Sequence, residues 1–486
     1  MAGILPNISC SANYERFAAN FCTLPRGARR ALQRKLSLKI THASLPRKLR
    51  RSLASSLAGA ALLLAFSQAT EAATITVTTN IPGINDGDNQ CSLIEAIINA
   101  NNDVATHPDC TAGDGNDTII LPSKTTMTLS GGYTDYYGST ALPPIATHIT
   151  IEGNGSTIIR NALTSFRLFA VTGQGDLSLQ DITISGGKEV GGGAIFNNGS
   201  LRITNSTISG NAATYGGGIY SSANGELWID NTDIFNNTAV KYGGGVHLRG
   251  GFKITNSSIH NNSAGIFGGA VMNRAAGDGQ ITGVTVSNNT AKYGGGIANK
   301  GSSTISNTTI SGNLALGDEG GGMWNGGTPS IRSRGYIENS TITANTARGA
   351  SDRKFGQGGG VMNSSYGILF VKRSIISGNK AAAGPELSWL SPVIRVDYFN
   401  LFGASGYAGF DGFPPGPSDI VPGRGMKLKK ILGPLKNNGG PTLTHALVPG
   451  SPAVDAAPAD ADCPATDQRG NPRPQGGGCD IGAVER

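Results

Sequence analysis

Runs of glycine return along this chain at nearly fixed intervals, and that recurrence restricts the folds open to it. Gly triplets, or the Gly-Gly-Ala variant, begin at Gly191, Gly216, Gly243, Gly268, Gly294, Gly320 and Gly358, at intervals of 25, 27, 25, 26, 26 and 38 residues. Between them other positions repeat in step. One apolar column is Ile203, Ile229, Ile254, Ile281, Ile305, Ile337 and Val371. A second is Ile208, Ile234, Ile259, Val286, Ile310, Ile342 and Ile376. An asparagine column follows at Asn211, Asn237, Asn262, Asn289, Asn313, Asn345 and Asn379. An alanine column lies two residues further on, from Ala213 to Ala381.

Each repeat has β-branched residues at short alternating spacing, Gly and Asn at its corners, and no sustained helical period. A coil of about 26 residues cannot bury its apolar face alone, so coils must stack. Stacked parallel strands put equivalent residues about 4.8 Å apart, which turns the Ile and Val columns into interior ladders. The expected fold is therefore all-β, a right-handed single-stranded parallel β-helix. Residues 117–400 leave room for about eleven coils, a rod of roughly 50 Å. The long last interval places an insertion near 348–357. Several asparagines, among them Asn205, Asn256, Asn307 and Asn339, match Asn-x-Ser/Thr. Their periodic spacing reads them as corner residues rather than glycan acceptors.

The N-terminus reads differently. Residues 1–51 carry eleven Lys or Arg and one acid, Glu15. An apolar run from Leu53 to Phe66 and small residues around 69–73 complete a secretory-signal pattern. That run is too short for a comfortable membrane span. Arg50-Arg51 is a weak twin-arginine match. The whole chain has 39 basic and 32 acidic side chains. Removing residues 1–72 leaves 28 and 30, so the basic balance belongs to the leader and gives no support to nucleic-acid binding. The remaining cysteines are Cys91, Cys110, Cys463 and Cys479. Four cysteines allow three connectivities. Local pairing, Cys91 with Cys110 and Cys463 with Cys479, is favoured because one pair sits at each end, and each bridge is worth about 3 kcal/mol by chain entropy. Zinc is the alternative, but no Cys-x-x-Cys is present.

The exposed ends of a solenoid need covering. Residues 91–102 have helical apolar spacing at Leu93, Ile97 and Ile98 and suit an N-terminal helical cap. The chain divides into a leader (1–72), an N-terminal cap (73–116), the β-helix (117–430) and a C-terminal cap (431–486). Cys91-Ser-Leu-Ile-Glu-Ala96 resembles the module named for Cys-Ser-Leu-Arg-Glu-Ala, found ahead of exported bacterial β-helices. Ile94 replaces the Arg. The C-terminus resembles the choice-of-anchor Q domain through Asn438-Gly-Gly-Pro-Thr442, Gly450-Ser-Pro-Ala-Val-Asp455, Asp467-Gln-Arg-Gly470 and Cys479-Asp-Ile-Gly-Ala-Val-Glu485. The repeats are similar to those of polymorphic outer-membrane proteins. The resemblance implies a bacterial secreted or cell-surface β-helix. The sequence up to Arg486 shows no hydrophobic tail or sorting motif, so secretion or non-covalent attachment is the expectation.

For chemistry, the coils are poor in acids. Polysaccharide hydrolysis needs paired carboxylates, and lyase chemistry an acidic calcium site. Asp318-Glu319 is the one adjacent acidic pair in the coils and reads as a solvated turn. No motif supports a cofactor or a metal site, calcium included. Asp467, Arg469, Arg473 and Asp480 read as an internal ion-pair network. The residues after each glycine corner are more informative. Strand alternation turns Phe196, Tyr220, His247, Met272, Ala298, Trp324 and Met362 outward. Two residues on, Arg249, Arg274 and Lys300 follow one coil apart, and stacked cations repel unless something anionic crosses them. Before the glycines runs an aromatic column, Tyr215, Tyr242, Phe267 and Tyr293. The expected ligand site is thus Arg249, Arg274, Lys300, Tyr220, His247 and Trp324. Its expected partner is an extracellular polysaccharide or cell-surface component, bound without catalysis in an adhesin-like or matrix role. The rival reading is a polysaccharide lyase or glycoside hydrolase acting on an acidic glycan.

Overall fold

The computed structural model describes residues 72–486 apart from 136–137, 276, 350–355, 391–392 and 412. Of the twelve residues by which the last glycine interval exceeds the one before it, six are inserted between Asn325 and Arg334, ahead of the expected place near 348–357. The leader, except for residue 72, and most of 348–357 lie outside the described residues. The rest is a parallel β-helix of about nine turns. One turn shows how the repeat folds. Strand Ile195–Asn197 lies on a short face, Ser200–Thr204 and Thr207–Ser209 form a long face, and Ala212–Tyr215 forms a third. The long-face strands join into a 21-stranded sheet, the short face into nine strands and the third face into seven. Of the eleven coils expected over 117–400, those of strands Asn116–Ile120 and His148–Arg160 contribute to the long sheet but add no strand to the nine-stranded short face.

The apolar columns are in register. Ile203 pairs with Ile229, Ile229 with Ile254, and Ile337 with Val371. Ile208 pairs with Ile234, and Ile342 with Ile376. All these side chains are buried, each worth roughly 1.5–3 kcal/mol in transfer from water. The glycine corner needs glycine for two reasons. Gly216 has φ +63°, and a Cβ on Gly217 would lie 2.3 Å from the carbonyl oxygen of Gly244 in the next coil. The first corner is Gly192-Gly193-Ala194 rather than Gly191–Gly193, because Ile195 pairs with Ile219. The 27-residue interval is absorbed by a register shift on the third face, between the Ala213–Ala239 and Tyr215–Tyr242 pairs.

The asparagine column is a hydrogen-bonded ladder. The Nδ2 of Asn211 donates to the Oδ1 of Asn237 at 2.9 Å, and the same hand-off continues through Asn262, Asn289, Asn313 and Asn345 to Asn379. Each Oδ1 also accepts the backbone N–H of the preceding coil's asparagine, as Asn237 does from Asn211 at 3.0 Å. The second amide hydrogen goes to backbone carbonyls, as from Asn289 to Ile259 O and Ser287 O. The buried corner is thereby satisfied. Beyond Asn379 the acceptor is the carboxylate of Glu386, which takes the Asn379 amide at 2.6 Å and the backbone N–H of Asn379 and Gly378. A second ladder, at the corner between short and long faces, runs through Asn273, Asn299, Asn325 and Asn363 at 2.8 Å per step. The Asn-x-Ser/Thr residues Asn205, Asn256, Asn307 and Asn339 have φ between +46° and +52° at the long-face bend, a left-handed conformation that asparagine tolerates.

At the N-terminal end, helix α1 (Leu93–Asn102) is fixed by a capping box between Ser92 and Glu95. It buries Leu93, Ile97 and Ala100 against the coil core. Cys91 is bonded to Cys110, and Cys463 to Cys479, as the local pairing required. The C-terminal segment does more than follow the last coil. It packs back along the side of the long face. Gln468 bonds Thr309 (2.6 Å) and Val284 O (3.2 Å), His445 meets Ser311 (2.9 Å), and Ala483 N–H donates to Thr341 (3.1 Å). Its charged residues bind one another. Asp467 holds Arg469 at 2.7 Å, and buried Arg473 pairs with Glu485 at 3.3 Å.

Two outcomes follow. Asn289→Ala removes a carboxamide that satisfies both neighbouring coils and should cost about 3 kcal/mol or more, read as a shift in urea unfolding. Burial raises the Glu386 carboxyl from 4.5 to about 7. A raised acid contributes stability that is full below its unfolded value and is lost as pH rises through about 7. The protein should therefore resist urea better at about pH 5 than at about pH 8.5. Glu386→Gln, which keeps one acceptor and no charge, should abolish this component of the difference.

Candidate functional site

The expected site residues converge on one seam, where the short face meets the third face across the glycine corner. Register is as the sequence implies. Tyr220 pairs with His247, His247 with Met272, Met272 with Ala298, and Ala298 with Trp324. The backbone N–H of Arg249, Arg274 and Lys300 donates to Ser221, Leu248 and Asn273 respectively, which places the cations on successive coils.

The exposure differs from the expectation. Side chains that alternate away from the coil interior are not left facing water, because the aromatic column folds over them. Met272, Ala298, Trp324 and Met362 form a small apolar core of their own against Tyr242, Phe267 and Tyr293. Trp324 is only 7% exposed, and its indole N–H donates to Glu319 Oε2 at 2.6 Å. That bond also corrects the reading of Glu319 as part of a solvated turn. His247 is 2% exposed and sits among the rings of Tyr215, Tyr220 and Tyr242, at centroid distances of 6.0, 5.1 and 5.8 Å. Among the described residues neither ring nitrogen has a hydrogen-bond partner. His247 and Trp324 thus build the seam rather than offer a contact surface. Tyr220 is half-buried, stacked on Phe196 at 5.5 Å.

The cations lie on the rim. Arg249 and Arg274 are exposed and Lys300 is half-buried. Arg249 reaches the Tyr220 hydroxyl at 3.3 Å, Arg274 lies 6.0 Å over Tyr242, and Lys300 Nζ lies 3.8 Å over Phe267. These cation–π contacts hold like charges in a row that would otherwise splay. Burial, followed by Arg274, lowers the Lys300 pKa. Burial, followed by Arg274 and Arg249, holds the His247 imidazole neutral down to about 3. The arrangement can stack and attract an anionic chain running along the rod.

Two clusters were not read from the sequence. Asp86, Glu95 and His107 bring one ligand atom each within 4.8 Å of one another beside α1. Their contacts are already structural: His107 Nδ1 meets Asp86 at 2.7 Å, and Glu95 accepts the backbone N–H of Ser92 and Asn85. The second is an outward row on the long face, Arg202, Trp228, Lys253, Gln280, Thr304, Tyr336 and Phe370, in continuous register. Arg202 lies 5.2 Å over Trp228, and Tyr336 stacks on Phe370 at 4.9 Å. Its signal was present, one residue before the Ile203 column, but its residue types vary from coil to coil.

No protein-family model matches the chain, and no curated protein matches it. Among solved structures, a crystal structure of pectate lyase Pel9A is similar over 86% of this chain and 98% of that one. The identity is 14% and the TM-score 0.42. A likeness of that degree carries no argument about chemistry. Among the described residues no helix is long and apolar enough to cross a membrane.

His247 gives the seam a measurable acid response. A base whose pKa is lowered on folding contributes stability that is present above its ordinary value of 6.5 and is lost as pH falls toward about 3. His247→Met, which copies Met272 of the next coil, should flatten this component of the unfolding midpoint between about pH 7 and about pH 4.

Proposed function

We propose that this is an exported β-helix protein that binds an extended anionic polysaccharide lengthwise, in an adhesin-like or matrix role. The observation that carries the reading is the exposed stack of Arg249 and Arg274 on successive coils, backed by Lys300 and floored by an aromatic seam. Charges repeated at the coil spacing suit a polymer with evenly spaced anionic groups better than a single small anion. Two disulfides are in keeping with an oxidising compartment. On the sequence resemblance, 1–72 is read as the export leader, 73–116 as the Cys-Ser-Leu-Arg-Glu-Ala-type cap, 117–430 as the β-helix and 431–486 as the choice-of-anchor Q module.

Arg249→Ala/Arg274→Ala should weaken binding of a linear polyuronate by about tenfold or more, and wild-type binding should fall as salt rises. Surface plasmon resonance on immobilised polyuronate reads both. Equal affinity in the double variant would remove the row from the function. Product analysis of the same mixtures tests the rival reading: shortened, unsaturated or reducing-end products would replace binding by lyase or hydrolase activity.

A further inference from the structure

A separate cleft of about 530 Å³ opens where the C-terminal segment meets the long face. Its floor is the left-handed bend of successive coils, with Asn205, Asn231 and Asn256 beside Asp230; Thr466 and Arg469 supply the facing wall. Asn205, Asn231 and Asn256 are exposed and Asp230 is half-buried. The cleft is therefore made by two distant parts of the chain, and it lies outside the seam described above.

The hydrogen-bonding of the floor is incomplete in a specific way. Asn231 donates to Asn205 Oδ1 at 2.7 Å, and Asn256 donates to Asp230 Oδ1 at 3.0 Å, which also accepts the Thr255 hydroxyl at 2.5 Å. Among the described residues, the Nδ2 of Asn205 and the Oδ1 of Asn231 and Asn256 have no partner. The floor thus offers donors and acceptors together, one carboxamide per coil. Arg469 is neutralised by Asp467 at 2.7 Å, so the wall brings no free cation, while Asp230 would repel a carboxylate. A concave floor of carboxamides with no free cation suits a ligand with hydroxyl edges.

We propose that this cleft binds a neutral, hydroxyl-rich linear glycan, its successive units meeting the carboxamides of successive coils. The inference does not depend on the cationic row, which favours an acidic chain on another face.

The test is isothermal titration of the full protein with neutral linear hexasaccharides of glucose, mannose and xylose, and with an acidic galacturonate hexasaccharide as contrast. Asn231→Gly/Asn256→Gly removes two carboxamides without strain. Both positions have φ near +45°, and the same column already carries a glycine, Gly283, at φ +70°. This variant should bind the preferred neutral sugar about tenfold more weakly. Arg249→Ala/Arg274→Ala should leave it unchanged. Three results overturn the proposal: no neutral hexasaccharide binds; the double glycine variant binds like the wild type; or galacturonate binding is lost in that variant, which would put an acidic chain in the cleft.

Discussion

The asparagine hand-off at the corner between the long and third faces is the interaction on which the coil stack depends. A β-helix turns its backbone sharply inside every coil, and the turn leaves N–H and C=O groups out of the sheets. In each coil from Asn211 to Asn379 one carboxamide satisfies those groups on both sides. Leaving them bare would cost far more than the net value of any one bond. The Ile and Val ladders supply the apolar driving force. They do so in register because the corner holds each coil at the same height as its equivalent in the next.

The ladder also explains a residue that looks anomalous alone. Glu386 is a buried acid with no cation beside it among the described residues. It stands where the next asparagine's Oδ1 would stand, and accepts from both the side chain and the backbone of Asn379. Its carboxylate offers two acceptor atoms at a place where no donor is required. Desolvation opposes its charge, and the hydrogen bonds from Gly378 and Asn379 favour it.

The fold was legible because each coil faces the same steric problem and solves it with the same residues. Ile203 to Val371 and Asn211 to Asn379 could be aligned before any coordinates. The second ladder was equally regular from Asn273 to Asn363. Its column is masked in the sequence because Ser221 and Leu248 interrupt it at its start. The candidate site was legible in register and not in exposure. Alternation says that His247 and Trp324 point away from the coil interior. It does not say that Tyr242, Phe267 and Tyr293, from another face, close over them. The path of the C-terminal segment was beyond reach for a similar reason. The bonds of Thr309 to Gln468 and Asn307 to Thr466 each join residues 159 positions apart, with no periodicity to announce them.

The hand-off from Asn211 to Asn379 always runs in the same direction, so each coil has a donor side and an acceptor side of identical chemistry. A coil duplicated or deleted between these limits would meet its new neighbours with a matching corner. Only the last position needs a different residue. Length can then change by recombination in units of one repeat, with the core and both termini of the ladder untouched. Any surface row carried by the coils would gain or lose one residue with each event. The same chemistry that makes the rod stable thus makes its length a quantity that evolution can adjust in whole steps.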